Sequence, residues 1–266
     1  MLELKSRDSY PLLTDMIGGG PFGLKAGEWT DDTSMALALA DSLSTNRKLD
    51  EKDLMHRFVD WHERGTYSCT GSCFDIGITT RQALSQWKAS GNPFAGSASP
   101  QTAGNGSLMR LAPVSVAHWR DRAVLRDVAA RQSRTTHAAP EAVDACVAFA
   151  ETLADAIEGR RRSEVMRARQ EAYSGVIETI MKGSWRGKPR SAIRASGYVA
   201  HSLEATLWCV ARTGSFENAV LKAANLGEDA DTTAAITGQL SGALYGVTGI
   251  PDHWTQRVAR GPRIRG

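Results

Sequence analysis

Apolar residues along this chain recur mostly three and four positions apart, the spacing of one face of a helix. Alternation of β-branched residues with period two, which would indicate strands, is scarce. The pattern therefore predicts an all-α fold. Capping residues set some boundaries, since Asp50 and Gly65 enclose a predicted helix over 51–63 and Pro140 begins one over 141–158. Further helices are predicted over residues 36–43, 77–89, 121–134, 163–181, 201–212 and 216–225.

Stretches rich in glycine, serine and proline interrupt these helices. Predicted loops or irregular segments cover residues 1–29, 90–106 and 183–197. A last helix is predicted after residue 229, and it repeats glycine every four residues at Gly238, Gly242 and Gly246. Each glycine inside a helix costs roughly 1 kcal/mol relative to alanine. Three on one face therefore predict a neighbouring helix packed at close range.

Composition narrows the class of protein. The chain has 266 residues, of which 42% are hydrophobic and 23% charged, as expected for one globular domain over residues 1–266. Its net charge is only +3 and its basic residues are scattered, so no nucleic-acid partner is expected. No apolar run reaches the ~18 residues of a membrane span. The cysteines are Cys69, Cys73, Cys146 and Cys209. Their spacing indicates neither a zinc site nor a disulfide framework. We expect a monomeric cytoplasmic protein.

Two acidic motifs stand at the starts of apolar helices. The first is Thr30-Asp31-Asp32, and the second is Asp229-Ala230-Asp231-Thr232. Each alone is typical of an ordinary helix N-terminus. If the two converge, they bring together four carboxylates and two hydroxyls, an oxygen-only ligand set that suits Mg²⁺ or Mn²⁺. So many clustered carboxylates would not all stay ionised without such cations.

A glycine-rich segment, Gly104-Asn105-Gly106-Ser107, ends the second long loop and leads toward another predicted helix. Successive backbone N–H groups in such a segment would cradle an anion such as a phosphate. An Asn-Gly pair is also typical of a routine turn. The segment alone leaves both interpretations open.

Taken in order, the motifs resemble those of the ADP-ribosylglycohydrolase family, most of all its bacterial members of the dinitrogen-reductase-reactivating type. The matching segments are residues 29–35, 71–77, 104–110, 136–137, 225–233 and 242–246. The resemblance implies a compact orthogonal multi-helix fold whose central cleft holds ADP-ribose above two Mg²⁺ or Mn²⁺ ions. It implies hydrolysis of the glycosidic bond between ADP-ribose and a modified protein side chain. The implied metal ligands are Thr30, Asp31, Asp32, Asp229, Asp231 and Thr232.

The resemblance also suggests roles for other residues. Asp75 would steer the attacking water or the leaving group, although it would equally serve as the N-cap of a helix from Ile76. His137 would touch substrate, although a lone histidine is more often structural. The diphosphate would contact Gly104, Asn105, Gly106 and Ser107.

The N-terminus departs from the family pattern. Glu3 matches a glutamate that reaches the metal site, but the helix that normally precedes it is absent from this sequence. A terminal glutamate would be poorly preorganised. We therefore expect a weak hydrolase with uncovered apolar surface. The alternative function is a catalytically weak or inactive ADP-ribose-binding or immunity-type protein of the same fold. The linkage (arginine, serine or another) and the choice between Mg²⁺ and Mn²⁺ stay open.

Overall fold

The computed structural model of the protein describes residues 4–261. Twelve α-helices lie in this range, and the only β pairing found there consists of isolated bridges. The predicted all-α fold is therefore confirmed for the described residues. The helices are α1 (Asp31–Asn46), α2 (Glu51–Arg64), α3 (Ile78–Ser90), α4 (Ala112–His118), α5 (Arg122–Arg134), α6 (Pro140–Ile157), α7 (Arg162–Val165), α8 (Val176–Met181), α9 (Val199–Ala211), α10 (Phe216–Ala224), α11 (Ala230–Tyr245) and α12 (Asp252–Arg257).

Helix α6 occupies the centre of the molecule, where it packs against α4, α5, α9 and α11. Nearly every residue from Ala142 to Ala156 is buried, which matches its almost continuous apolar sequence. Helix α9 is buried along most of its length for the same reason. These two helices form the centre of the core, against which α4, α5, α7, α8, α10 and α11 pack.

Helix α1 carries the first acidic motif into this core. It buries a stripe that includes Met35, Leu39 and Leu43 against the neighbouring helices. The apolar run over residues 36–43 predicts burial on nearly every side of this helix, and that prediction is wrong, because Leu37 and Ala40 are partly exposed. The helix also begins earlier than its apolar run, so that the acidic residues form its first turn.

The single helix predicted over 163–181 is wrong. The chain forms two short helices there, α7 and α8, separated by residues that bond to other parts of the protein. The Ser174 N–H donates to Asp144 Oδ2 at 2.6 Å, and the Arg169 guanidinium pairs with buried Asp155 at 2.7 Å. Gly175, with φ of 56°, turns the chain into α8. These tertiary bonds replace the intrahelical ones.

The glycines of α11 face α10, which is the neighbouring helix that their spacing predicts. A Cβ added at Gly238 would lie 3.9 Å from Val220, and one at Gly242 would lie 3.8 Å from Phe216. Both distances are ordinary van der Waals contacts, so the packing is less tight than the sequence suggests. Gly246 lies just past the helix, with φ of 69°.

The segment before α1 has no helix and is held by side-chain bonds. Asp15 accepts hydrogen bonds from Trp254 Nε1 at 2.6 Å and Arg257 Nη1 at 3.0 Å, which joins this segment to α12. Gly27 passes so close to α12 that an added Cβ would lie 1.9 Å from the Arg257 carbonyl oxygen. Within residues 4–261, none of the helices has the length and apolar character needed to cross a bilayer.

Candidate active site

The two acidic motifs meet at the hydroxyl of Thr30. Its Oγ1 lies 2.9 Å from Asp32 Oδ2 in its own motif and 3.0 Å from Asp231 Oδ2 in the other. A hydroxyl has a single proton to donate, so both contacts are hydrogen bonds only when one of the carboxyls is itself protonated. The N-terminus of α1 and that of α11 are thus joined directly, as the two motifs predict.

Burial governs the charge of these carboxyls. Asp31 and Asp32 are 8% and 4% exposed. This burial is the main cause that raises the pKa of both carboxyls well above the usual range. The second cause is a neighbouring negative charge, which is that of Asp32 for Asp31 and that of Asp231 for Asp32. Burial also raises the pKa of Asp229 and of Asp231, each to about 6. This cluster of four carboxyls therefore favours bound protons, or a metal cation that takes the place of the protons.

A cleft of about 490 Å³ opens above the motifs. Asp75 lies on its wall with φ of 60°, a left-handed conformation that aspartate adopts more readily than most residues. Its charge raises the pKa of Asp31 and Asp231. The interpretation of Asp75 as a helix cap is wrong, because α3 begins at Ile78 after Gly77. The lining also includes Asp31, Thr80, Gly104, Asn105, Gly106, His137, Gly197, Asp229 and Thr232.

The glycine-rich segment joins the cleft wall to the second motif. The side-chain amide of Asn105 donates to Asp229 Oδ2 at 2.7 Å and to Ser202 Oγ at 2.8 Å. Its backbone N–H donates to the Gly197 carbonyl at 3.0 Å, and the Gly104 N–H donates to Thr102 at 2.8 Å. Two of the N–H groups expected to face a diphosphate are therefore already bonded within the protein.

Ser107, the last residue of that segment, is fully buried. Its Oγ bonds to Ser133 Oγ at 2.8 Å, so the side chain points away from the cleft. In the described part of the chain, the N–H groups of Gly106 and Ser107 make no backbone hydrogen bond. Because Ser107 is fully buried and only Gly106 lines the cleft, the Gly106 N–H is the one of the two that the segment leaves for a ligand.

His137 forms part of the cleft wall beside the same segment. Its Nδ1 lies 2.8 Å from Thr136 Oγ1, and a Cβ added at Gly106 would lie 2.8 Å from its Cε1. The ring is 3% exposed, and this burial lowers the pKa of His137 to about 3. His137 is therefore neutral at physiological pH, so it contributes a hydrogen-bonding ring and no charge.

A buried polar network beneath the glycine-rich segment is a feature that the sequence did not indicate. Arg110 is fully buried, donates from Nε to Gln132 Oε1 at 3.0 Å and lies 4.6 Å from the centre of the Phe58 ring. Gln132 in turn donates to the Ser107 carbonyl at 3.1 Å. The network fixes the segment against α5. Arginine is rarely buried in this way, so an arginine in a sequence is expected to lie on the surface.

Comparison with known proteins agrees with this geometry. A family model described as ADP-ribosylglycohydrolase matches residues 2–266. The chain belongs to the ADP-ribosylglycohydrolase family. It is 43% identical over 264 residues to the ADP-ribosylarginine hydrolase Tri1 of Pseudomonas putida, covering 99% of this chain and 71% of that protein. It is 31% identical over 249 residues to the ADP-ribosyl-[dinitrogen reductase] glycohydrolase of Rhodospirillum rubrum, covering 94% and 80%.

A solved structure described as an ADP-ribosylglycohydrolase-related protein complex shares the fold. It matches with a TM-score of 0.87 and 36% sequence identity, and the match covers 99% of this chain and 87% of that one. The ADP-ribosylglycohydrolase fold thus extends over the whole described chain, including the segment before α1.

Members of the ADP-ribosylglycohydrolase family generally depend on a metal, and the donor atoms of this cleft fit a hard divalent cation. Asp32 Oδ1 and Asp231 Oδ1 are buried oxygens without a hydrogen-bond partner among residues 4–261. In that range no three His, Cys, Asp or Glu side chains are already arranged around one metal position. The donor atoms nevertheless fit a cation, because buried carboxylate oxygens without a partner are what a cation would satisfy.

The structure brings most of the predicted site residues together. Asp31, Asp75, Asp229, Thr232 and His137 share the cleft. Thr30, Asp32 and Asp231 lie directly below it, and Ser107 lies behind it. Glu3 is outside the described residues. The contributions of Gly197 and Thr80 to the lining were missed, because neither belongs to a motif with recognisable chemistry.

Proposed function

We propose that this ADP-ribosylglycohydrolase removes ADP-ribose from a modified protein side chain by hydrolysing the glycosidic bond at the ribose. The observation that carries the proposal is the meeting of the two acidic motifs at Thr30, on the floor of a cleft beside the glycine-rich segment. Residues 1–266 are proposed to form a single domain of this family.

The acidic cluster is proposed to hold two Mg²⁺ or Mn²⁺ ions. When bound, such ions supply a Lewis acid and lower the pKa of a coordinated water. The proposal is supported by the oxygen-only donor set and by the partnerless oxygens of Asp32 and Asp231. The proposed ligands are Thr30, Asp31, Asp32, Asp229, Asp231 and Thr232.

Residues of the cleft wall would bind and orient the substrate. The N–H group of Gly106 would donate to the diphosphate, and the neutral ring of His137 would offer a hydrogen bond beside it. The carboxylate of Asp75 would accept a proton from the attacking water or pair with the departing group. Each of these steps needs only groups that already face the cleft.

The proposed linkage is to arginine. The relative from Pseudomonas putida is named an ADP-ribosylarginine hydrolase, and so is one from Serratia proteamaculans that is 42% identical over 265 residues. The chemistry of the wall supports this choice, because a guanidinium leaving group would pair with the carboxylate of Asp75. A serine linkage would not use that charge.

The test compares matched substrates. Purified protein is given one peptide carrying ADP-ribosylarginine and one carrying ADP-ribosylserine, with Mg²⁺, with Mn²⁺ and with a chelator. We expect release of ADP-ribose from the arginine peptide when metal is present. The double variant Asp31→Ala/Asp229→Ala should lose this release while melting as a folded protein. Wild-type turnover by the variant would refute the ligand assignment, and binding of ADP-ribose without hydrolysis would favour the binding-protein alternative.

A further inference from the structure

Residues 4–8, the N-terminal strap, lie against the second acidic motif. The Leu4 N–H donates to the Glu228 carbonyl at 2.7 Å, and the Glu228 N–H donates to the Lys5 carbonyl at 2.8 Å. The strap is thus paired in both directions with the residue that precedes Asp229. Leu4 also lines the cleft, so the start of the described chain is held at the candidate site.

Arg7 fastens the strap to two other segments. It donates from Nε to the Leu226 carbonyl at 3.0 Å, from Nη1 to the Arg190 carbonyl at 2.7 Å, and from Nη2 to the Ile193 carbonyl. The planar guanidinium presents several donors in one fixed geometry, which lysine does not reproduce. One side chain therefore sets the spacing among three stretches of backbone.

Both of the segments that Arg7 holds support Asp229. Leu226 lies three residues before it in the chain. The turn at 190–193 leads to Ala195, whose carbonyl accepts the Asp229 N–H at 2.9 Å. A displacement of either segment would move the Asp229 backbone and, with it, the N-terminus of α11.

The backbone before Asp229 needs such support. Gly227 and Glu228 have φ of 73° and 58°, two consecutive left-handed residues, and the second is not a glycine. The strap packs tightly here, since a Cβ added at Gly227 would lie 2.8 Å from the Lys5 carbonyl oxygen. An unfavourable local conformation of this kind persists only when surrounding bonds hold it.

We propose that Arg7 is a positioning residue that fixes the second acidic motif and thereby sets the affinity of the site for its metal. The metal part rests on the proposed function, whereas the effect on the backbone does not. Arg7 does not line the cleft, and it acts through the carbonyls of the two segments that support Asp229.

The experiment compares Arg7→Met, Arg7→Lys and a matched control, Arg186→Met, whose arginine donates to the Met166 carbonyl at 2.8 Å and does not line the cleft. Mn²⁺ alone is titrated by calorimetry. Amide hydrogen exchange is followed in peptides covering 226–231 and 31–35. Arg7→Met should weaken Mn²⁺ binding about 10- to 100-fold, as loss of a supporting residue behind metal ligands typically does. Exchange should accelerate at 226–231 and not at 31–35.

Arg7→Lys should lie between Arg7→Met and the wild type, and Arg186→Met should match the wild type in both measurements. The proposal would be overturned if Arg7→Met showed the wild-type hydrogen exchange and the wild-type affinity for Mn²⁺. It would also be overturned if hydrogen exchange accelerated equally in both peptides, because that result would indicate a general loss of stability. If the wild type itself binds no Mn²⁺, the metal assignment fails and the exchange data still decide the role of Arg7. If Arg7→Met does not fold, the exchange pattern of Arg7→Lys decides.

Discussion

The two acidic motifs reach the same point by different means. Asp31 and Asp32 form the first turn of α1, so helical hydrogen bonds and the buried stripe of that helix set their positions. Asp229 precedes α11, and its position depends on a left-handed backbone and on bonds from the strap and Ala195. One motif is placed by regular secondary structure and the other by long-range contacts. The second is therefore the one that distant substitutions should disturb.

The motifs also differ electrostatically. Burial raises the pKa of Asp31 and Asp32 well above the usual range, whereas it raises those of Asp229 and Asp231 to about 6. As pH rises, the second motif therefore loses its protons before the first. The difference indicates that the first motif needs a cation more strongly at neutral pH, because desolvated carboxylates are costly when unpaired.

The largest expected effect is on the pH dependence of stability without metal. The folded-state pKa of about 6 for Asp229 and Asp231 exceeds the 3.8 of the free carboxyl. Their stabilising contribution is therefore complete below the lower value and lost as pH rises through the higher one. In chelator, the free energy of unfolding should fall between about pH 4 and 6, by on the order of 2–3 kcal/mol for one such carboxyl.

Urea unfolding across this range separates the two motifs. Asp229→Asn/Asp231→Asn should remove only their own share of the decline, because Asp31 and Asp32 also stay protonated in the folded protein while the unfolded chain ionises between about pH 4 and 6. Asp31→Asn/Asp32→Asn should remove a decline that continues above it, because the pKa values of that pair are raised further. Identical pH profiles for the two double variants would contradict the difference in burial.

The second prediction breaks the link between the motifs. Thr30→Val removes the hydroxyl that contacts both Asp32 and Asp231 with little change of shape. We expect kcat/KM to fall roughly 10- to 100-fold, as for other groups that orient metal ligands. Thr30→Ser keeps the hydroxyl and should stay within a few-fold of the wild type. Wild-type turnover in Thr30→Val would mean that the hydroxyl does not join the two motifs functionally.

Much of the fold was predictable where local signals decide it. Asp50 accepts from the N–H groups of Lys52 and Asp53 and Gly65 ends α2, as capping rules predict. The convergence of the acidic motifs was predictable only because two similar helix starts occur in one chain. The break between α7 and α8 was not, because it depends on Asp144 and Asp155, which are distant in sequence.

The site was less predictable than the fold. Asn105 was expected to face a diphosphate, yet its side chain holds Asp229 and its N–H is bonded to Gly197. Such a partnership joins residues more than a hundred positions apart and leaves no local pattern. The supporting role of Arg7 was likewise not predictable from the sequence. Its three hydrogen bonds go to backbone carbonyls, so they require no particular side chain at the partner residues.

The third prediction tests the glycine-rich segment, which lines the cleft together with residues of both motifs. A Cβ at Gly106 would lie 2.8 Å from His137 Cε1 and 3.4 Å from Thr80 Oγ1, whereas one at Gly104 would approach His137 no closer than 3.3 Å. His137 is buried and bonded to Thr136, so it yields little space. Calorimetry should show ADP-ribose binding weakened about 10-fold in Gly106→Ala and only about 2-fold in Gly104→Ala. Equal affinities would indicate that the ring moves freely.

The smallest effect concerns the fourth residue of each helix, Ser34 in α1 and Thr233 in α11. Ser34 Oγ donates to the Thr30 carbonyl at 3.0 Å, whereas Thr233 Oγ1 is buried without a hydrogen-bond partner in the described chain. Ser34→Ala should lower the free energy of unfolding by about 1 kcal/mol, because a satisfied bond is lost. Thr233→Val should leave it unchanged or raise it by up to about 1 kcal/mol, because an unsatisfied hydroxyl is removed and both side chains are β-branched. Urea unfolding of the pair measures both changes. A loss in Thr233→Val as large as that in Ser34→Ala would mean that the Thr233 hydroxyl has a partner, and that the second helix start is bonded as completely as the first.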